Sequence, residues 1–133
     1  MTHDETRIFL ENLFGLLLDP ERPAEDLLHL FTSDYVQIAD GKTLDLQGFL
    51  AHARTLKSIL KSAHVRFEKI ITSNNSIADI HIVDAIKKDG STMTCKVLTF
   101  YEMRDGKISR IEELSHLIAG AKEDSDLASR IAH

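Results

Sequence analysis

One carboxylate stands out by the company it keeps. Along the alternating segment 77–86, one side carries Ala78, Ile80, Ile82, Asp84 and Ile86, so that Asp84 is the polar group on a face of branched aliphatics. Burying an unpaired charge is costly, and a carboxylate in that position needs a partner, water or a cavity that uses it. Two readings stand: Asp84 reaches solvent where the strand nears its turn, or it projects into a pocket as an acid or base. The other side carries Ile77, Asp79, His81, Val83 and Ala85, and this mixture predicts that Asp79 and His81 face solvent or a subunit contact. Because Ile77 and Val83 lie there too, both faces are partly apolar, and a second copy of the chain is the simplest cover for the outer one.

Other chemistries leave little trace. The seven histidines are spread singly, without an i,i+4 pair or a cysteine partner, so no metal site is expected. There is no glycine-rich phosphate loop and no serine on a nucleophile elbow, and no cofactor is expected. The net charge is -5 with lysines and arginines scattered, which argues against a nucleic-acid partner. No apolar run approaches the ~20 residues of a membrane span. Asp4, Glu5 and Arg7 in the first ten residues do not suit a secretory signal, and the single Cys95 cannot form an internal disulfide, so a reducing cytoplasm is the expected location.

The elements that would position such groups read in a simple order. Residues 1–120 form one domain, and the polar segment 121–133 is a tail, a short helix, or a lid in which Leu127 and Ile131 close a pocket. Thr2 and Glu5 form a capping-box pattern before a helix whose face is Ile8, Phe9, Leu13, Phe14, Leu16 and Leu17, ending at Asp19-Pro20. A short helix follows Pro23 with Leu27, Leu28, Leu30 and Phe31, then a strand over 35–39 and a turn at Asp40-Gly41. Asp45 caps a third helix striped with Leu46, Phe49, Leu50, Ala53, Leu56 and Leu60. Four strands complete the chain, over 63–72, 77–88, 92–103 and 107–118, joined at Asn74-Asn75, Asp89-Gly90 and Asp105-Gly106. Helices first and antiparallel strands afterwards is an α+β layout.

This order, with "LLHLFTSDYVQIADG" and "VLTFYEMRDGKISRIEEL", resembles the nuclear transport factor 2-like superfamily in its SnoaL-like and ketosteroid-isomerase-like branch, from about Thr6 to Ile118. The resemblance implies a cone: a strongly curved antiparallel sheet wrapped around three N-terminal helices, with an apolar pocket at the open end. It also implies isomerase, cyclase, dehydratase or dehydrochlorinase relatives, besides members that only bind or associate, so fold is a weak guide to reaction. Matched position by position, Ala39 stands where the isomerases keep their general-base aspartate, Thr99 at their oxyanion-hole aspartate and Phe14 near their oxyanion-hole tyrosine; ketosteroid isomerase chemistry is therefore expected to be missing.

The same registration implies a pocket lined by Phe14, Gln37, Ala39, Ile80, Ile82, Val97, Thr99, Tyr101, Ile111 and Ser115, with Asp84 and Glu113 as two acids inside it. Two carboxylates in a dry pocket push each other's pKa apart and can serve as acid and base; alternatively one pairs with Arg66 or Arg110 and holds the sheet. Dehydratase-like and dehydrochlorinase-like relatives suggest a second pair, Asp19 orienting His64. Against it, alternation groups His64 with Arg66 and Glu68, opposite Val65, Phe67 and Ile71, which makes it a solvated edge residue. The expected function is binding of a small apolar molecule by a homodimer. The alternative is a proton-transfer enzyme, an isomerase, cyclase or lyase, that uses Asp19 and His64 or Asp84 and Glu113.

Overall fold

The computed structural model describes residues 1–121. Its first helix, α1 (His3–Leu18), begins at a reciprocal cap: Glu5 N–H donates to Thr2 Oγ1 at 3.1 Å, and Thr2 N–H donates to Glu5 Oε1 at 2.8 Å. Its inward side is Thr6, Leu10, Leu13, Phe14 and Leu16. The expected second helix is a 3₁₀ segment, Ala24–Leu30, that buries Ala24, Leu27 and Leu30 and runs straight into strand β1 (Phe31–Ala39). A tighter coil suits seven residues held between Pro23 and an extended strand. After the short β2 (Lys42–Asp45), helix α2 (Leu46–Ile59) starts where Asp45 Oδ1 accepts from Gly48 N–H at 2.8 Å.

Four long strands follow: β3 (Leu60–Ser73), β4 (Ser76–Lys87), β5 (Thr92–Arg104) and β6 (Lys107–Ala119). All six strands make one sheet in the order β2-β1-β6-β5-β4-β3. Every pairing is antiparallel except β1 with β6, which is parallel. Breaks in register at Phe67/Lys69, Thr94/Cys95 and Glu102/Met103 bend the ribbons into a curved, unclosed sheet. The Asp105-Gly106 turn has φ of 54° and 77°, the conformation a tight two-residue hairpin needs. Helices and sheet enclose a core that includes Leu10, Leu27, Phe31, Tyr35, Phe49, Tyr101 and Ile108.

The faces of β4 are the reverse of the expectation. Ile77, Asp79, His81 and Ala85 are buried on the side that meets the helices, whereas Ile80, Ile82 and Asp84 lie on the outer side. The cause is one residue in the β4–β5 connection. Lys87 N–H donates to Ser91 O at 2.8 Å and Gly90 N–H to Lys87 O at 2.9 Å, so the loop holds three residues, Lys88, Asp89 and Gly90, instead of two. Sliding a strand by one residue turns every side chain to the opposite face. Asp79 thus pairs with Thr99, and His81 with Val97.

One lysine locks the helices together. Lys57, on α2, is buried and donates from Nζ to the carbonyls of Leu16 and Asp19, both at 2.6 Å, satisfying the open end of α1. Burial lowers its pKa from the ordinary lysine value. Lys57→Met keeps the alkyl packing and deletes both charge-assisted bonds. Urea unfolding is expected to show a loss of about 1–3 kcal/mol; equal stability would mean that desolvation of the ammonium cancels the two bonds.

Candidate active site

Cross-strand pairing lays the interior out in rungs. One rung runs Ala39, Glu113, Thr99, Asp79 across β1, β6, β5 and β4. The next on one side holds Ser115, Val97, His81 and Phe67, and the next on the other holds Gln37, Ile111, Tyr101 and Ile77. Directly opposed side chains stand ~5 Å apart on one face, so these rungs bring two carboxyls, an imidazole, a phenol and an amide together.

Asp79 is 4% exposed and satisfied from two directions. The Tyr101 hydroxyl donates to Oδ2 at 2.6 Å, and His81 Nδ1 lies 2.7 Å from Oδ1. With the Nδ1 proton directed at the carboxylate, His81 Nε2 is left as an acceptor, the arrangement in which an acid fixes the tautomer of a base. The His81 ring, 1% exposed, lies 4.6 Å from the Phe14 ring and 5.9 Å from Phe67, which keeps it dry. Burial raises the Tyr101 hydroxyl well above its ordinary pKa, and the Asp79 charge adds to it, so the phenol stays a donor.

Glu113 is supported differently. A chain of side chains reaches it, Tyr35 OH donating to Gln37 Oε1 at 2.8 Å and Gln37 Nε2 to Glu113 Oε1 at 3.4 Å. Burial first, then the carboxylates of Asp40 and Asp79, push the Glu113 carboxyl up to about 8, so it carries its proton at neutral pH. Between Glu113 and Asp79 on their rung, the buried Thr99 Oγ1 has no hydrogen-bond partner among the described residues.

His81 and Glu113 both line a cavity of about 80 Å³ between the helices and the sheet. Its wall is apolar, with Phe14, Leu18, Leu56, Met93 and Val97, and α2 adds the buried His52. That volume admits a small organic group and falls below the ~300 Å³ typical of drug-sized sites. A base and a neutral acid facing one dry hollow can move a proton between two atoms of the same molecule.

Of the residues expected at a site, Glu113, Phe14 and Val97 line this cavity, and Gln37, Ala39, Thr99, Tyr101 and Ile111 are buried on the adjoining rungs. Ser115 turns to the β1–β2 corner, where Asp40, at φ 51°, accepts from its N–H at 2.8 Å and from its hydroxyl. Ile80, Ile82 and Asp84 require correction, since all three lie on the outer face. Asp84 Oδ2 accepts from Arg66 Nε at 2.9 Å and Oδ1 from Thr94 Oγ1 at 2.9 Å; these bonds hold its carboxyl below the usual range, the Arg66 bond most strongly. It is the sheet-holding pair that the sequence left open. Asp19 and His64 both line a groove between α1 and β3, yet Asp19 Oδ1 is engaged by Glu21 N–H at 2.9 Å, and His64 is exposed beside Arg66 and Glu68. Asp79, His81 and Asp40 were missed, and a three-residue reading of Lys88-Asp89-Gly90 is the signal that would have found the first two.

Glu113 gives stability a pH dependence of definite sign. The unfolded carboxyl releases its proton near 4.5 and the folded one near 8, so between those values the unfolded chain binds fewer protons and stability falls as pH rises. Glu113→Gln is expected to remove that slope, leaving the variant more stable than the parent at pH 8 by about 2–4 kcal/mol, and no more stable at pH 4. Urea midpoints between pH 4 and 9 are the measurement; parallel curves for parent and variant would contradict the assignment.

Comparison with known proteins places this geometry. A model of the SnoaL-like domain matches residues 17–111. An uncharacterized protein of Schizosaccharomyces pombe is 34% identical over 125 residues, covering 94% of this chain and 96% of its own. Among solved structures, an NTF2-like protein of unknown function from Exiguobacterium superposes with a TM-score of 0.70 at 17% identity, covering 81% of this chain and 98% of that one. An LEH-like epoxide hydrolase of M. tuberculosis reaches 0.67 at 13% identity over 81% and 80%. A de novo designed protein with a curved β-sheet reaches 0.68 at 20% over 98% and 97%. The structural likenesses are of fold. The matched domain and the fission-yeast relative establish that this chain belongs to the SnoaL-like family.

Proposed function

We propose that the protein is a proton-transfer enzyme, isomerase or lyase in type, acting on a small enolisable carbonyl compound. The observation that carries this reading is the 2.7 Å contact of Asp79 with His81 in the wall of a cavity that Glu113 also lines. His81 Nε2 takes a proton from the carbon next to the carbonyl. The electron pair of that C–H bond becomes the C=C bond of an enol while the carbonyl π pair moves to the oxygen, which receives the Glu113 proton. The second half returns a proton from His81 to carbon and one from oxygen to Glu113, so the chain ends as it began. Asp79 keeps the base oriented and stabilises the imidazolium while it lasts. Because Phe14, Ala39 and Thr99 replace the isomerase groups, the ketosteroid isomerase machinery is not the one used; the base sits instead on β4, one rung away.

Binding of a small apolar molecule without chemistry is the competing reading, favoured by the apolar lining. Solvent-deuterium exchange into small ketones and 1,3-diketones, followed by NMR, separates the two. Wild type is expected to exceed buffer, and His81→Gln to lose about 10²–10⁴-fold, with Asp79→Asn impaired in the same assay. No exchange above buffer, or an unimpaired His81→Gln protein, would leave only the binding role.

The outer sheet face supports a homodimer. Leu98, Phe100 and Leu114 are 50%, 46% and 65% exposed and border a shallow depression with Ile71 and Ile80. A contiguous apolar patch of this kind on a sheet face marks an interaction site. Sedimentation is expected to show a dimer for the parent and a monomer for Phe100→Asp; a monomeric parent would rule the interface out.

A further inference from the structure

The groove that holds Asp19 and His64 is larger than the cavity, about 540 Å³ against about 80 Å³, and it lies next door. Phe14 and Leu18 line both, so these two side chains form a partition between the hollow at His81 and an open trough between α1 and β3. On the trough side the floor continues with Val65 and Phe67, whose apolar surfaces are only partly buried.

Gly15 sits in this trough, inside α1. A glycine within a helix is destabilising relative to alanine. Neither backbone angle nor crowding asks for one here: Gly15 is not among the positive-φ glycines, and a Cβ placed on it would meet nothing within 4 Å among the described residues. What the missing side chain does is leave the trough open.

We propose that trough and cavity are two compartments of one ligand site. An acetyl-sized head lies beside His81, and an unbranched apolar tail passes between Phe14 and Leu18 into the trough, over the space left by Gly15. The rim carries Glu11, Asp19 and Glu21 against Lys61, which favours an uncharged tail over one ending in a carboxylate. The identity of the head rests on the proton-transfer reading above; the two-compartment geometry does not.

Methyl ketones from 2-butanone to 2-undecanone keep the head constant and lengthen the tail, and their binding to the full-length protein can be followed by calorimetry. Each added methylene is expected to tighten binding about two- to fourfold until the trough is full. Gly15→Phe fills the trough from the helix and is expected to leave 2-undecanone binding no tighter than 2-butanone, whereas Gly15→Ala retains the dependence on length. Val65→Trp fills the same space from β3 and takes the place of Gly15→Phe if that variant does not fold. Affinity independent of chain length in the parent, or unchanged long-ketone affinity in the folded filled variants, overturns the proposal. The two readings fail separately: exchange without length dependence removes the second compartment, and length-dependent binding without exchange in any ketone removes the proton transfer.

Discussion

Two carboxyl groups share one rung of the interior, with a threonine between them, and the rest of the site follows from how that conflict is settled. Both cannot be ionised cheaply in so dry a place. Asp79 has the donors: the Tyr101 hydroxyl on one oxygen and the His81 ring on the other, at 2.6 and 2.7 Å. Glu113 has one amide at 3.4 Å, and burial first, then the neighbouring carboxylates Asp40 and Asp79, push it up to about 8. Unequal hydrogen bonding thus sets the two carboxyls apart before any ligand arrives, and it does so with groups on strands, where the backbone ladder holds them in place.

Such an interior is a burden that the remainder of the fold offsets. The polar rungs face a layer of aromatic packing, with Phe31 at 4.6 Å from Tyr35 and 4.7 Å from Phe49, ring to ring. Edge and tilted contacts of this kind add to plain area burial. Tyr35 belongs to both systems: its ring packs with Phe31 and Phe49 while its hydroxyl orients Gln37 towards Glu113. Lys57 ties α2 to the end of α1 nearest the cavity, and Leu17, Leu18 and Leu56 close the wall beside it. Stability and site geometry therefore draw on the same few side chains.

The architecture was legible because its signals are local. The Thr2–Glu5 cap, the Asp45 cap and the Asp105-Gly106 turn each depend on a handful of neighbouring residues and are present as read, whereas the helical stripes hold only in part, since Ile8 is exposed and Leu60 opens β3. The site was less legible because it depends on register between strands, which a single residue in a loop decides. The isoleucine face and the family registration put Ile80, Ile82 and Asp84 inside; the three-residue loop Lys88-Asp89-Gly90 puts Asp79 and His81 there. Glu113 was placed through the family registration; the Asp105-Gly106 turn alone would have set Glu112 opposite Thr99, and the register shift at Glu102/Met103 brings Glu113 there. His64, by contrast, followed plain alternation to the exposed side.

Hydrophobicity misled for a reason with its own content. On β4 and β5 the usual order is inverted: Asp79, His81 and Thr99 are buried, while Leu98 and Phe100 are exposed and Ile80 lies on the outer face with them. A face of isoleucine and leucine is the natural candidate for a core only when the sheet has one dry side. Here the inner side is dry because helices cover it, and it tolerates polar groups because they satisfy one another. Among the described residues no helix covers the outer side, and the exposed Leu98, Phe100 and Leu114 gain nothing in water from being there. The proposed homodimer would give Leu98, Phe100 and Leu114 a reason to be there, whereas Ile82 is already buried within the chain, and the proposed chemistry is read from the strand's other side.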